Sequence, residues 1–298
     1  MSPRRYGIFA AGLRIMPDLA VDGVRFHVSE QGAGAPLVLL HGFTGSGESW
    51  WPVVEHLARD WRVVAIDLIG HGHSDAPRDP ARYAYERALD DLDALAAAIG
   101  ISQATWLGYS LGGRLALGLA LRHPRRVAAL ILESVNPGIT TVAEREDRRR
   151  SDAALAARIE ADGIASFVAA WERLPLWESQ HDLPVVVQER QRAIRLGNRP
   201  HALANSLRGM GQGSQPDHWA DLAAIRVPTL VIAGERDGKF ARIGQEMAAV
   251  IPDATLAIVP GAGHAVHLER PEVYFDLIRR FARHGERPLP RTHEEYGA

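Results

Sequence analysis

The chain has no cysteine among its 298 residues, which excludes a disulfide framework, a thiol nucleophile and any cysteine-ligated zinc site. It has no apolar run approaching the roughly 18 residues that suggest a membrane span. It also lacks a strong charge imbalance: 34 Lys and Arg against 36 Asp and Glu give a formal net charge of −2. Nothing in the overall balance therefore favours nucleic acid or an anionic lipid surface. An uninterrupted signal-peptide core is missing too. Arg4 and Arg5 precede a short apolar stretch, but Arg14 and Asp18 interrupt it too early for a secretory pattern. Residues 1–20 are accordingly expected to be an N-terminal extension, and the cytoplasm is the expected location.

What is present is ordinary for a folded chain, with 46% hydrophobic and 23% charged residues. From Val21 onward, short apolar runs rich in β-branched residues occur at 36–40, 62–66, 104–107, 127–132, 228–233 and 255–259. Longer helical patterns separate them. Strands alternating with helices imply an α/β fold with a mostly parallel sheet flanked by helices. Continuously apolar strands are what a sheet covered on both faces requires. Between residues 137 and 222 the rhythm breaks, and the chain turns helical and charged, opening on the run 144–150. No strand-like run intervenes there, so residues 137–222 are expected to be a helical cap inserted between two strands. Residues 21–136 and 223–284 then form the core, and the polar residues 285–298 a frayed tail.

Gly108-Tyr109-Ser110-Leu111-Gly112 fits G-x-S-x-G, with a strand pattern before it and a helix pattern after it. That context predicts the nucleophile elbow of the α/β-hydrolase fold. A serine hydroxyl is inert at neutral pH without a base, so a histidine must reach it and a carboxylate must orient that histidine. In this fold the chain order is serine, acid, histidine. His264 sits on the glycine-rich stretch Pro260-Gly261-Ala262-Gly263 after the last strand pattern, which makes it the expected base, with His267 as the competitor. Asp237 follows the strand pattern at 228–233 and is the expected acid, with Glu235 and Glu133 as alternatives. His41-Gly42-Phe43-Thr44-Gly45 follows the strand pattern at 36–40. The backbone N–H groups of Phe43 and Leu111 are the expected oxyanion donors. Asp67-Leu68-Ile69-Gly70-His71-Gly72-His73-Ser74 reads as a strand-end turn, because His-x-His without a third spaced ligand is a weak metal signal. No metal or other cofactor is expected.

Arg114 lies four positions after Ser110 on the elbow helix, hence on the same face, where its guanidinium can reach the reactive pocket. A buried cation needs a partner. That partner is either an internal carboxylate such as Glu133 or a bound anion.

Several segments together carry a resemblance: Gly108-Tyr109-Ser110-Leu111-Gly112-Gly113-Arg114, Leu132-Glu133-Ser134 with Pro137-Gly138, Gly213-Ser214-Gln215-Pro216, Gly234-Glu235-Arg236-Asp237-Gly238-Lys239-Phe240 and Ala262-Gly263-His264. From about Val21 to Ala282 the chain resembles the 2-succinyl-6-hydroxy-2,4-cyclohexadiene-1-carboxylate synthases of menaquinone biosynthesis. The resemblance implies a carbon–oxygen lyase that removes pyruvate from an enolpyruvyl substrate bearing three carboxylates, with the triad acting as a base. It also implies carboxylate contacts at Arg114, Arg148 and Arg195, with Tyr109 and Trp171 as pocket walls. The expected partner is thus a small anionic substrate, with no nucleic acid and no membrane, and the expected state is a monomer. A carboxylester or carbon–carbon bond hydrolase using the same triad is the competing reading, and a non-catalytic ligand-binding relative the third.

Overall fold

The chain is described by a computed structural model covering residues 13–284. The expected tail 285–298 and the first twelve residues of the expected N-terminal extension lie outside the described residues. Eight strands form one sheet: β1 (Arg14–Val21), β2 (Val24–Gln31), β3 (Pro36–Leu40), β4 (Arg62–Ile66), β5 (Ala104–Tyr109), β6 (Val127–Glu133), β7 (Thr229–Gly234) and β8 (Ala254–Val259). Their spatial order is β1-β2-β4-β3-β5-β6-β7-β8. Pairing is antiparallel for β1 with β2 and for β2 with β4, and parallel from β4 onward.

Helices α1 (Trp51–Leu57), α2 (Tyr85–Ala98), α3 (Leu111–Arg122), α4 (Val142–Trp171), α5 (Val185–Leu196), α6 (Pro200–Met210), α7 (Gly238–Val250), α8 (Val266–Glu269) and α9 (Pro271–His284), with five short 3-10 helices, complete the described elements. Alternate side chains of each central strand serve opposite faces. Val38 and Leu40 of β3 join a core with Leu92, Leu115 and Met247 from α2, α3 and α7. Leu37 and Leu39 join a second core with Val53, Phe275 and Ile278 from α1 and α9. Burial on both faces is why the central strands read as unbroken apolar runs.

Two strands depart from the expected pattern. Residues 14–20, assigned to the extension on sequence, belong to edge strand β1, paired from Arg14 against Glu30 to Val21 against Val24. The register shifts between Met16 and Leu19. β2 alternates instead of running apolar: Val24, Phe26 and Val28 are buried while Arg25 is exposed. A search for continuous apolar runs passes over such a strand, because only one of its faces is covered.

The long interruption between β6 and β7 holds α4, α5 and α6. A glycine breaks α4: Gly163 has φ 77° inside the helix span, a left-handed conformation that suits glycine. Ala156, Ile159, Phe167 and Val168 of α4 pack on Leu203, Ala204 and Leu207 of α6, giving these cap helices a small core of their own. None of the described helices is long and apolar enough to cross a membrane.

Candidate active site

Ser110 stands between β5 and α3 with φ 50° and ψ −108°, a backbone state that is costly for a residue with a Cβ. The chain is forced into it by crowding. A Cβ on Gly112 would lie 2.1 Å from the Leu40 carbonyl oxygen, and one on Gly108 would lie 2.4 Å from the Gly112 oxygen. Both positions therefore require glycine. The elbow is tied to its neighbour by the Ser110 N–H, which donates to the Glu133 carbonyl at 2.9 Å.

His264 Nε2 is 3.3 Å from Ser110 Oγ, and His264 Nδ1 is 2.6 Å from Asp237 Oδ2. The short contact to a carboxylate assigns the proton to Nδ1 and leaves the Nε2 lone pair facing the serine. Asp237 is also the N-cap of α7, where its Oδ1 accepts from the Phe240 N–H. The histidine loop is fixed from behind. Glu269 accepts from the N–H groups of Gly263 at 2.6 Å and Ala265 at 3.2 Å, and the Ser134 hydroxyl donates to the His264 carbonyl at 2.8 Å.

The competing residues are engaged elsewhere. Glu133, fully buried, is 2.8 Å from His267 Nδ1 and accepts from the His267 N–H at 3.1 Å. Glu235 accepts from the Gly261 N–H at 3.0 Å. His267 thus belongs to a closed pair with Glu133, packed between Trp50 and Tyr109.

The turn Gly42-Phe43-Thr44-Gly45 is closed by the Gly45 N–H donating to the Gly42 carbonyl at 3.0 Å. A Cβ on Gly42 would sit 2.7 Å from the Tyr109 ring and 3.6 Å from Ser110 Cβ, so this turn lies directly against the elbow. His41 braces it. Its Nε2 accepts from the Leu68 N–H at 3.0 Å, which leaves Nδ1–H to donate to the Gly42 carbonyl at 2.8 Å. Burial pushes the His41 pKa down, in keeping with a neutral ring in this role. Leu111 is the first residue of α3, so its N–H has no partner within the helix.

The turn after β4 serves the same wall. Burial would raise the Asp67 carboxyl, but hydrogen bonds from His27 and from the N–H groups of His73 and Gly47 hold it below its ordinary value. His71 packs edge-on against Phe43, and its pKa is pushed down to about 3 by burial, with further lowering by His41. His73 reaches Glu48 at 3.6 Å instead. Among the described residues no three metal-ligating side chains converge.

The three arginines differ. Arg148 pairs with Asp152 at 2.8 Å and bonds Gln212 at 2.8 Å. Its neighbour Arg149 reaches the Gly213 carbonyl, and Arg150 pairs with Asp147 on the exposed side. Arg195 is 3.1 Å from Glu172 and 3.2 Å from Gln180, with its guanidinium over the Trp177 ring. Arg114 bonds no carboxylate; Asp152, itself paired with Arg148, acts on it only at longer range. Only 6% exposed, Arg114 donates to the Met210 carbonyl and to Gln215 Oε1, both at 2.8 Å, and Glu133 is already committed to His267. Burial lowers its pKa to about 10, with Arg148 adding repulsion.

Arg195, Tyr109, Phe43 and Trp177 line one pocket with Gln191 and His267. Trp171 meets Phe43 edge-on and lies at a tilt to Phe167 and Trp177, so it belongs both to the core of the α4–α6 helices and to the wall over the turn that carries Phe43. Arg114 and Arg148 lie apart from that pocket, where the 210–215 segment meets α3 and α4. Lys239 joins them electrostatically, its pKa lowered by burial and by Arg148. Lys239 and Gln215, which lie beside these arginines, were not singled out individually from the sequence. Both sat inside segments already singled out for their resemblance, which was the available signal.

Comparisons with known proteins identify the family of the chain. Residues 35–271 match the α/β hydrolase fold family. A putative 2-succinyl-6-hydroxy-2,4-cyclohexadiene-1-carboxylate synthase of Bacillus subtilis (strain 168) is 44% identical over 262 residues, covering 87% of this chain and 95% of its own length. The chain belongs to that synthase family within the α/β hydrolases. A synthase of the same name from Serratia proteamaculans (strain 568) is 33% identical, with 82% of this chain and 92% of the relative covered. The solved structure of MenH from S. aureus superposes with a TM-score of 0.83 at 35% identity, covering 88% of this chain and 98% of that one.

Proposed function

We propose that this chain is a 2-succinyl-6-hydroxy-2,4-cyclohexadiene-1-carboxylate synthase. It is a carbon–oxygen lyase of menaquinone biosynthesis that eliminates pyruvate from 2-succinyl-5-enolpyruvyl-6-hydroxy-3-cyclohexene-1-carboxylate. The observation that carries the substrate class is Arg114: a buried guanidinium whose bonds go only to neutral oxygens is costly to desolvate. A substrate carboxylate supplies the missing anion. Arg148, Lys239 and Arg195 extend the positive field for a molecule that carries three carboxylates.

His264, oriented by Asp237, takes the Ser110 proton as Ser110 removes the ring proton next to the succinyl ketone. The C–H electrons form one new ring double bond, the existing double bond shifts, and the bond to the enolpyruvyl oxygen breaks. The Phe43 and Leu111 N–H groups hold the enolate-like ketone oxygen while this happens. The proton held on His264 returns to the departing group, which leaves as pyruvate. No acyl-enzyme forms and no cofactor is needed. The reading includes a monomeric enzyme in the cytoplasm.

The test is to supply the enolpyruvyl intermediate and follow pyruvate release, with intact-mass analysis after rapid quench. Pyruvate released from an unmodified protein is the expected result. A covalent adduct on Ser110 during turnover favours an ester or carbon–carbon bond hydrolase instead.

A further inference from the structure

The turn that carries the Phe43 N–H holds a residue that ought not to be there. Thr44 has φ 70°, the left-handed region that a β-branched residue enters only under constraint. In a turn closed by Gly45 N–H to Gly42 carbonyl, the third position with positive φ ordinarily takes glycine or asparagine. A bond from outside the loop reaches this residue. Asn198, between α5 and α6, is 5% exposed and directs its side-chain amide N–H to the Thr44 carbonyl at 2.8 Å. The same amide nitrogen faces the carbonyls of Ile194 and Arg195 at 3.2 and 3.3 Å. Three acceptors around one atom require that atom to be the NH2 group and not the oxygen.

Other residues of this part of the cap also reach core carbonyls. Arg199 bonds Ser74, His201 bonds Ala76, and Asn205 bonds Arg78. Those bonds end on the segment after β4, whereas the Asn198 bond ends on the oxyanion turn. His41 braces the Gly42 end of that turn from the core, and Asn198 braces the Thr44 end from the cap.

We propose that Asn198 is a positioning residue, a cap-borne amide that holds the oxyanion turn in its left-handed form and so aims the Phe43 N–H at the reacting oxygen. The proposal rests on Phe43 being an oxyanion donor, as argued under Proposed function, but it does not depend on which substrate is turned over. It gives the inserted helices a part in the chemistry beyond covering the pocket.

The experiment uses the full chain and two substitutions, Asn198→Ala and Asn198→Ser, neither of which can span to Thr44. His201→Ala loosens the same seam without touching the turn and serves as the control. Phosphonylation of Ser110 by a small neutral fluorophosphonate reads the triad and the oxyanion hole without any substrate carboxylate. Pyruvate release from the enolpyruvyl intermediate gives kcat and KM. Both Asn198 variants should label roughly 10- to 100-fold more slowly, up to the effect of removing one oxyanion donor. kcat should fall in parallel while KM changes by less than about threefold, and His201→Ala should label at the parent rate. Labelling within about threefold of the parent in a folded Asn198 variant overturns the proposal. So does an equal loss in His201→Ala, which would assign the effect to general loosening of the cap. Normal loss of labelling in the Asn198 variants without pyruvate release by the parent would retain the proposal and reject the lyase reading.

Discussion

A guanidinium enclosed with a peptide carbonyl and a side-chain amide gains less than one facing a carboxylate, since neutral oxygens accept its hydrogen bonds but supply no counter-charge to offset its desolvation. On the proposed function, Arg114 is therefore the residue at which a bound carboxylate changes the energetics most. Arg114→Ala should lose on the order of 2–5 kcal/mol of transition-state binding, roughly thirty-fold or more in kcat/KM for the trianionic substrate. Arg114→Lys should recover only part of this, because a point charge cannot reproduce the planar fork, and a small neutral ester should be turned over unchanged. A main effect on melting temperature, with kcat/KM within about threefold of the parent, would make Arg114 a structural residue. The triad has its own signature. Ser110→Ala and His264→Ala should each remove most activity and be strongly non-additive together, since they form one proton-transfer unit. Asp237→Asn should cost less, through loss of the Nδ1 tautomer; steady-state kinetics of the three singles and the double distinguish these outcomes.

The elements around the site depend on close backbone approach. Gly112 on α3 faces the Leu40 carbonyl at the end of β3 with no room for a methyl group. Gly112→Ala should displace the elbow helix and lower both melting temperature and phosphonylation rate, whereas Gly163→Ala, in open space on the cap helix, should leave labelling intact. The turns after β3 and β4 make a different demand, one of pH. His41 and His71 have folded pKa values below the ordinary 6.5, about 3 for His71. Their contribution to stability is full above pH 6.5 and is lost as pH falls towards the folded values, because the unfolded chain then binds protons that the native site refuses. Each histidine adds a slope of up to about 1.4 kcal/mol per pH unit in that window. Urea unfolding at pH 7.5 and pH 5 should show this decline, and His71→Gln should be less stable at pH 7.5 but lose less on acidification. An unchanged slope in His71→Gln would show that the acid sensitivity lies elsewhere.

At the scale of the whole molecule, the legible features were those written in consecutive residues. The six central strand patterns, the elbow around Ser110, the glycine-rich approach to His264 and the helical interruption after β6 all depend on local periodicity or on backbone crowding that only glycine relieves. Chain order then narrowed the acid and the base. The edge pair β1 and β2 was not legible in the same way, because half-covered strands alternate and depend on a partner for their definition. Tertiary structure decided every question of pairing. It gave His264 the carboxylate of Asp237 and gave Glu133 to His267. It also left Arg114 with neutral partners and brought Asn198 to Thr44 across 154 residues of chain. Sequence by itself determined which residue types could perform the chemistry and on which kind of turn each would stand. Which of them meet was decided by the fold, because a buried charge or a strained turn is stabilised by groups that lie far away in sequence and close only in space.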